Sequence, residues 1–417
     1  MDKASATFQR ILFLNTGANH NLGDRAMLLN VVRLLRERLP TAELIVDAGV
    51  PEWMIHEFGL TPVPTLTNCW GRGGETLKTP YMILSTLAMQ FLIRSGAYRF
   101  LPVGSMEHEL LSAIDRSDLI WLVGGGYLND LGPVEARAVL HTALMGQAIG
   151  RPVVMTGQGI GPFKTQWSRR LFQWVAAKAK SIVLREPESG AREISSLGDG
   201  RIRWRAGVDD ASSLPRHTDA MLPPAVLAVH FRRSSFHQDA EPVEQEIFRT
   251  IKTLVSEGER VKLFVFSERK KYELEIYERW KQALGNSDAL EIIQHSDPRR
   301  IFAELETCQC AIGMAYHFHL FALLAGTPSL AMYSGQYYEA KYTGIDILFE
   351  QSRSFIEYSA IDENLLMDFV QANNRQFNPE KVNTLTARAS LLEKRATQQI
   401  LETLDARALS ASAMTGA

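Results

Sequence analysis

The chain is short of cysteine: among 417 residues only Cys69, Cys308 and Cys310 occur. They form no Cys-x-x-Cys, and their odd number argues against a disulfide framework. A cytoplasmic compartment is therefore expected. Charge of either sign is not in excess. Forty-five basic and 47 acidic residues leave a net charge of -2, giving no sign of a general nucleic-acid surface or a polybasic membrane patch. Long apolar runs are missing too. Residues 81–93 are mostly apolar but contain Gln90 and are followed by Arg94, well short of the roughly 20 residues a spanning helix needs. That stretch reads as a buried or partner-facing helix. The alternative is a lip that touches a membrane or a lipid-linked acceptor, at the inner membrane face. The first residues, Met1-Asp-Lys-Ala-Ser-Ala-Thr7, lack an apolar signal core. There is no His-Glu-x-x-His, no Cys/His cluster, no internal repeat and no low-complexity segment.

What is present is ample core material. A hydrophobic content of 46% over this length suggests two ordinary domains. A buried strand at 10–15 leads through a Gly/Asn-rich loop, 16–24, into an amphipathic helix, 25–39, stopped by Pro40 and followed by a strand at 43–46. This β-loop-α-β opening marks a doubly wound sheet. Residues 65–112, with the turn Trp70-Gly-Arg-Gly-Gly74, are less regular and read as an insertion over the sheet edge. Strands at 118–123, 152–156, 181–184 and 202–206 follow, each ending in Gly, Arg or Asp. Residues 215–224 carry three prolines and read as a linker. A second βα series then begins at 225, with strands at 225–231, 261–266, 290–293 and 329–332, a loop at 333–344, and a helical tail at 379–409. The expected division is 1–214, linker 215–224, 225–378, and a C-terminal helix and tail, 379–417. The fold class is α/β: two Rossmann-like domains facing a ligand-binding cleft, the last helix packing back on the first domain.

The stretch Ile312-Gly-Met-Ala-Tyr-His-Phe-His319, continuing apolar to Gly326-Thr-Pro328, draws the eye. It reads as a strand turning at Gly313 into an apolar helix, with His317 and His319 near the helix start. There, free N–H groups and the helix dipole favour anions. The structural alternative is two hydrogen-bonded core histidines; two residues apart, at most one of them faces a site. Asp24, in Asn21-Leu-Gly-Asp24, is an N-cap or an acceptor-side carboxylate. Gly124-Gly-Gly126 and Gly157-Gln-Gly-Ile-Gly-Pro162 end strands without the Gly-Lys-Ser/Thr of a P-loop; tight βα turns compete with phosphate cradles. Arg185 pairs with Glu186 or Asp209, or meets a carboxylate or phosphate. Asp209-Asp210 caps a turn or supplies acid/base chemistry.

Together these motifs resemble the polysaccharide pyruvyl transferase family over about residues 10–345. The resemblance rests on Asn21-Leu-Gly-Asp24, Gly124-Gly-Gly126, 157–162, Arg185-x-x-x-Ser189, Asp209-Asp-Ala211, Ile312-Gly-Met-x-x-His317 and Tyr333…Lys341, in that order. It implies a GT-B-type fold and transfer of the enolpyruvyl part of phosphoenolpyruvate to a sugar or lipid-linked glycan, usually as a cyclic ketal. No redox cofactor or metal is implied, and no nucleic acid. The family commonly reads Gly-Met-Arg-Leu-His where this chain reads Gly313-Met-Ala-Tyr-His317, so Ala315 stands in place of an arginine suited to the donor's phosphate or carboxylate. Arg185, Arg232, Arg233 or Lys341 are the cations at hand to replace it. The expected roles are His317 as phosphate contact or general acid, Asp24 or Asp209 as base, and Asn21, Gly125, Gly126, Gln158, Arg185, Arg232 and Lys341 as substrate contacts. Two other readings stay open: a nucleotide-sugar glycosyltransferase on the same fold, and a degenerate glycan-binding member, which Ala315 favours.

Overall fold

The computed structural model describes residues 8–14, 20–71, 78–215, 224–233, 240–268, 273–373 and 379–414. Three sequence features fall partly or largely outside them: residues 16–19 of the loop at 16–24, the Gly-rich part of the turn at 70–74, and most of the linker.

The chain forms two compact α/β units. The first comprises Met1–Asn19, Met27–Ala211 and Arg395–Ala417; the second comprises His20–Ala26 and Ser212–Lys394. In the first, β1 (Arg10–Leu14), β2 (Glu43–Asp47), β3 (Leu60–Val63), β4 (Leu119–Leu122), β5 (Gly125–Leu128), β6 (Val153–Ile160), β7 (Ser181–Leu184) and β8 (Arg205–Ala206) make one parallel sheet. Its order is β3-β2-β1-β4-β6-β7-β8, with β5 added alongside β6. The connecting helices are α1 (Leu22–Arg38), α2 (Glu52–Phe58), α3 (Leu66–Trp70), α4 (Lys78–Ser95), α5 (Met106–Arg116), α6 (Pro133–Ala148), α7 (Gln166–Ala176) and α8 (Pro187–Ser196). The Leu-Ile-Trp-Leu run of β4 is buried throughout, as a strand covered on both faces by helices requires.

The second unit holds β9 (Ala225–His230), β10 (Val261–Phe264), β11 (Leu290–Ile293), β12 (Cys308–Gly313), β13 (Ser329–Tyr333) and β14 (Phe355–Glu357). The order β11-β10-β9-β12-β13-β14 is parallel throughout and reverses between β9 and β12. Ligands of open α/β sheets bind outside the carboxyl ends of the strands at such a reversal. Its helices are α9 (Ala240–Ser256), α10 (Leu274–Ala283), α11 (Arg299–Glu306), α12 (Tyr316–Leu324), α13 (Gln336–Phe349) and α14 (Glu363–Ala372), with α15 (Pro379–Met414) closing the chain.

Four readings of the sequence need correcting. Gly125 and Gly126 open β5, and 157–160 continue β6, so the two glycine runs are strand rather than loop. Residues 336–349 form α13 where a loop was expected; Tyr338, Tyr342, Ile345 and Phe349 bury one face of it at helical spacing. Residues 65–112 are largely helical. Residues 20–26, expected with the first domain, pack with the second: Asn21 bridges to Ser267 and the Leu22 N–H donates to the Phe266 carbonyl at 2.9 Å. The final helix does return to the first unit, where Gln399 of α15 bonds Val208 and Asp210.

Candidate functional site

The sequence-predicted residues fall into two sets, one in each unit. In the second unit they gather at the β9/β12 reversal. The Asn21 side chain accepts from the Gly23 N–H at 2.9 Å and so caps α1, leaving Asp24 partly exposed in the helix's first turn. Asn21, not Asp24, is the cap. Gly23 lies against the His317 side chain: a Cβ there would overlap its Nδ1, Cγ and Cβ. Only glycine permits this approach, which explains the Asn21-Leu-Gly-Asp24 pattern. His317 sits in the first turn of α12, with Tyr316 edge-on at 5.1 Å and Phe321 at 5.7 Å. The strand-to-helix turn that aims it is held by Tyr342, whose hydroxyl donates to the Met314 carbonyl at 2.6 Å.

Cations surround this turn. Lys341 on α13 rests its ammonium 4.2 Å from the Tyr337 ring centroid, 5.5 Å from that of Tyr338 and 5.8 Å from that of Tyr316. Such ring faces attract a cation electrostatically. Arg232, just beyond β9, is partly exposed. Burial alone would lower its pKa; the Tyr338 phenol and the Glu273 carboxylate, 4.0 Å away, raise it above its ordinary value. Burial in turn raises the Tyr338 phenol, against the opposing pull of Arg232. Ala315 is the N-cap residue of α12 and is partly exposed; its methyl makes no capping bond.

Sequence reasoning missed the pair beneath. His230, the last residue of β9, is fully buried and hydrogen-bonds Glu273 at 3.1 Å. The other Glu273 oxygen accepts from the Phe266 and Ser267 N–H groups at 2.5 and 2.8 Å. The signal was available: a histidine and two arginines end an apolar strand in His230-Phe-Arg-Arg233. His319 has the structural role. Its nitrogens bond Ser329 at 2.8 Å and Ser354 at 3.0 Å, and burial depresses its pKa to about 3.

Gly125, Gly126, Gln158, Arg185 and Asp209 belong to the first unit and are woven into its interior. Arg185 is 1% exposed and spans Glu186 at 2.8 Å and Asp209 at 2.6 Å. Asp209 also accepts from the Ala211 N–H at 2.8 Å. The Gln158 amide donates to the carbonyls of Leu122, Val123 and Thr156, pinning β4 to β6, and Gly125 pairs with Gln158 in register. Gly126 accepts from Asn129. Asp210 is wholly buried, taking bonds from the Gly124 N–H, the Thr156 hydroxyl and Gln399. Burial first, and Asp209 beside it, push its pKa up to about 7. Gly157, at φ 55°, lets the β6 backbone pass against Asp210. Among the described residues no group of three or more His, Cys, Asp or Glu converges as a metal site.

One cavity, of about 260 Å³, lies off the carboxyl ends of β10 and β11. It is lined by Leu22, Arg25, Phe266, Glu268, His295 and Ser296 among others. Arg25, 1% exposed, donates to the Ser296 carbonyl at 2.6 Å and pairs with Glu268 at 2.5 Å.

Residues 21–336 match the family profile described as polysaccharide pyruvyl transferase. A curated relative, the amylovoran biosynthesis protein AmsJ of Erwinia amylovora, is 22% identical over 184 residues, 43% of this chain and 43% of its own length. The chain thus spans under half the length of that relative. Among solved structures, a putative UDP-N-acetylglucosamine 2-epimerase from Listeria monocytogenes superposes with a TM-score of 0.63 at 13% identity, covering 96% of this chain and 97% of that one. UGT73P12 of Glycyrrhiza uralensis, complexed with glycyrrhetinic acid 3-O-monoglucuronide, gives a TM-score of 0.58 at 8% identity, covering 98% of each. At such identities the likeness is one of fold, and that fold is GT-B-type.

Proposed function

Since the chain belongs to the polysaccharide pyruvyl transferase family and is accordingly a transferase, we propose that it moves the enolpyruvyl group of phosphoenolpyruvate to a sugar of a polysaccharide or glycoconjugate. The product is a pyruvate ketal, and phosphate leaves. The donor's methylene takes a proton and becomes a methyl group. Two sugar hydroxyls add to the neighbouring carbon as its bond to the phosphate oxygen breaks. The observation that carries this reading is the gathering of His317, Lys341 and Arg232 at the β9/β12 reversal. Phosphoenolpyruvate carries a phosphate and a carboxylate, and this edge offers two cations and the N-terminus of α12. His317 is the group we assign to phosphate contact or proton donation, with Arg232 and Lys341 neutralising the charge that Ala315 leaves unmet. Asp24, partly exposed in the first turn of α1 beside Gly23, is the group we assign as base in preference to Asp209, which is fully buried against Arg185. Asn21 holds that turn, and Arg185, Gln158, Gly125 and Gly126 shape the acceptor-side unit.

The test is incubation of the purified chain with phosphoenolpyruvate and a panel of sugar acceptors, following phosphate release and product mass. A ketal product, 70 mass units heavier than its acceptor by the stoichiometry above (roughly, pyruvate less water), supports the proposal. No phosphate release with any acceptor, together with appearance of activity on Ala315→Arg, supports the degenerate reading instead.

A nucleotide-sugar donor is the second reading, favoured by the cavity off β10 and β11, where Arg25 and Phe266 stand. One neighbouring structure is described as a complex with UDP and glucose. Thermal stabilisation by UDP and none by phosphoenolpyruvate would decide for it.

A further inference from the structure

The outer surface of the first unit carries an apolar face that its own fold does not cover. Helix α4 buries Thr86, Met89 and Ile93 and turns Ile83, Leu84, Leu87 and Phe91 outward, 54–69% exposed. Ordinary surface helices place charge on that side. The chain continues through Phe100 and Val103, 91% and 87% exposed. The face is continued by another helix. Helix α4 packs on α6, and α6 on α7. Gln90 of α4 lies 3.5 Å from His141 of α6, whose ring meets Trp167 of α7, and Trp167 meets Trp174 edge-on. Both tryptophans are 46% exposed.

The charge of these elements says what covers them. Residues 76–106 contain no Asp or Glu and three basic residues, Lys78, Arg94 and Arg99. Residues 136–185 contain none either, and eight basic residues. Of those eight, Lys164, Arg170, Lys178 and Lys180 are exposed on or beside α7. The net charge of -2 conceals this segregation. A protein partner or a second copy of this chain would bury such a face among mixed charges. Acids do stand nearby, Asp115 pairing with Arg99 at 3.2 Å and Glu109 exposed on α5, but α4 and α7 themselves carry exposed Leu, Phe and Trp beside cations only. That combination matches the anionic headgroup layer of a bilayer, where aromatic rings and apolar side chains enter the interface and lysine and arginine meet the lipid phosphates. Among the described residues no helix is long and apolar enough to cross a membrane, so the contact is peripheral.

We propose that the first unit docks on an anionic lipid bilayer through α4, the Phe100–Val103 turn and α7. This goes beyond the transfer reaction and stands or falls apart from it.

The experiment is co-sedimentation of the full chain with vesicles of phosphatidylcholine alone and of phosphatidylcholine mixed with phosphatidylglycerol. Binding to the mixed vesicles, weakened by salt, is expected. Leu84→Glu with Phe91→Glu, and separately Arg170→Glu with Lys178→Glu, should each weaken binding by more than about tenfold. All four side chains are exposed, so both variants should melt like the parent protein and keep its activity on a water-soluble acceptor. Absence of binding to mixed vesicles overturns the proposal, as does binding that neither pair of substitutions alters. Self-association in light scattering that Leu84→Glu abolishes, without vesicle binding, also overturns it and assigns the face to a second copy.

Discussion

At the scale of single residues, the contact between Gly23 and His317 makes the sharpest demand. A methyl group at position 23 would have to occupy the imidazole's place. Gly23→Ala should therefore shift either the α1 turn or the ring. We expect transfer to fall by more than about a hundredfold, since small displacements of a reacting group cost that much, with a stability loss of about 1–3 kcal/mol from overpacking. Steady-state phosphate release and urea unfolding separate the two effects. His317→Ala removes the ring and leaves a void beside Gly23; phosphate release should vanish while the circular dichroism spectrum stays that of the parent. Near-normal turnover would sink the assignment of His317. The sequence made this residue legible because the Gly313-Met…His317 spacing is a motif. It hid the His230–Glu273 and Arg25–Glu268 pairs, which have no motif and whose members are distant in the chain. It also misassigned the cap, because Asn21 and Asp24 both suit a helix start and only the Gly23 N–H bond tells them apart.

Among elements, apolar strands were the easiest to read. Ser181–Leu184 and Leu290–Ile293 are continuous buried or half-buried runs bounded by polar residues, and their limits in the structure are those expected. The glycine runs were harder. Gly125, Gly126, Gly157 and Gly159 resemble a loop by composition, yet they lie in strands; at Gly157 and Gly159 the carboxylates of Asp210 and Glu186 occupy the space a side chain would fill. Helix α13 was missed since Gly335 and its polar neighbours outweighed the spacing of its aromatics. Helix α15 illustrates how an element earns its position by hydrogen bonds. Gln399 accepts from the Val208 N–H at 2.9 Å and donates to the Val208 carbonyl at 3.1 Å and to Asp210 at 3.0 Å. Gln399→Ala leaves three buried groups without these partners. A loss of about 3 kcal/mol in the first unit is expected, read by urea unfolding; Gln399→Glu, which keeps the acceptor but sets a second carboxylate against Asp210, should be no better.

For the molecule as a whole, the two units should answer acid differently. His319 of the second unit has a pKa of about 3, below its unfolded value of 6.5. Its contribution is complete above pH 6.5 and is lost as pH falls toward 3. In the first unit, burial and Arg137 lower His141 to about 4, which acts in the same direction. Asp210 acts oppositely: raised from 3.8 to about 7, it favours folding fully below 3.8 and progressively less as pH rises to 7. Between about pH 4 and 6.5 the first unit's two groups oppose one another. The second unit is left with His319, offset in part by Asp346, whose carboxyl burial raises. We expect the second unit to lose up to about 1.4 kcal/mol per pH unit on acidification while the first changes little, so that a single unfolding transition at neutral pH separates into two. His319→Gln should hold them together; transitions that shift in parallel with pH would contradict this.

The order in which the chain leaves the ribosome meets a constraint here. Residues 20–26 are made early but find Phe266 and Ser267, their partners, only after some 240 further residues have been added. Val208 and Asp210 likewise wait for Gln399. Neither unit is a continuous length of sequence. A stop codon at any point between 212 and 398 would leave a first unit without Gln399 and most or all of its Arg395–Ala417 segment, and a second unit expressed from residue 212 onward would present His317 without the glycine that lies against it. Splitting the gene into halves for separate expression should therefore fail for both products, whereas supplying the missing segment as a peptide in trans should rescue each.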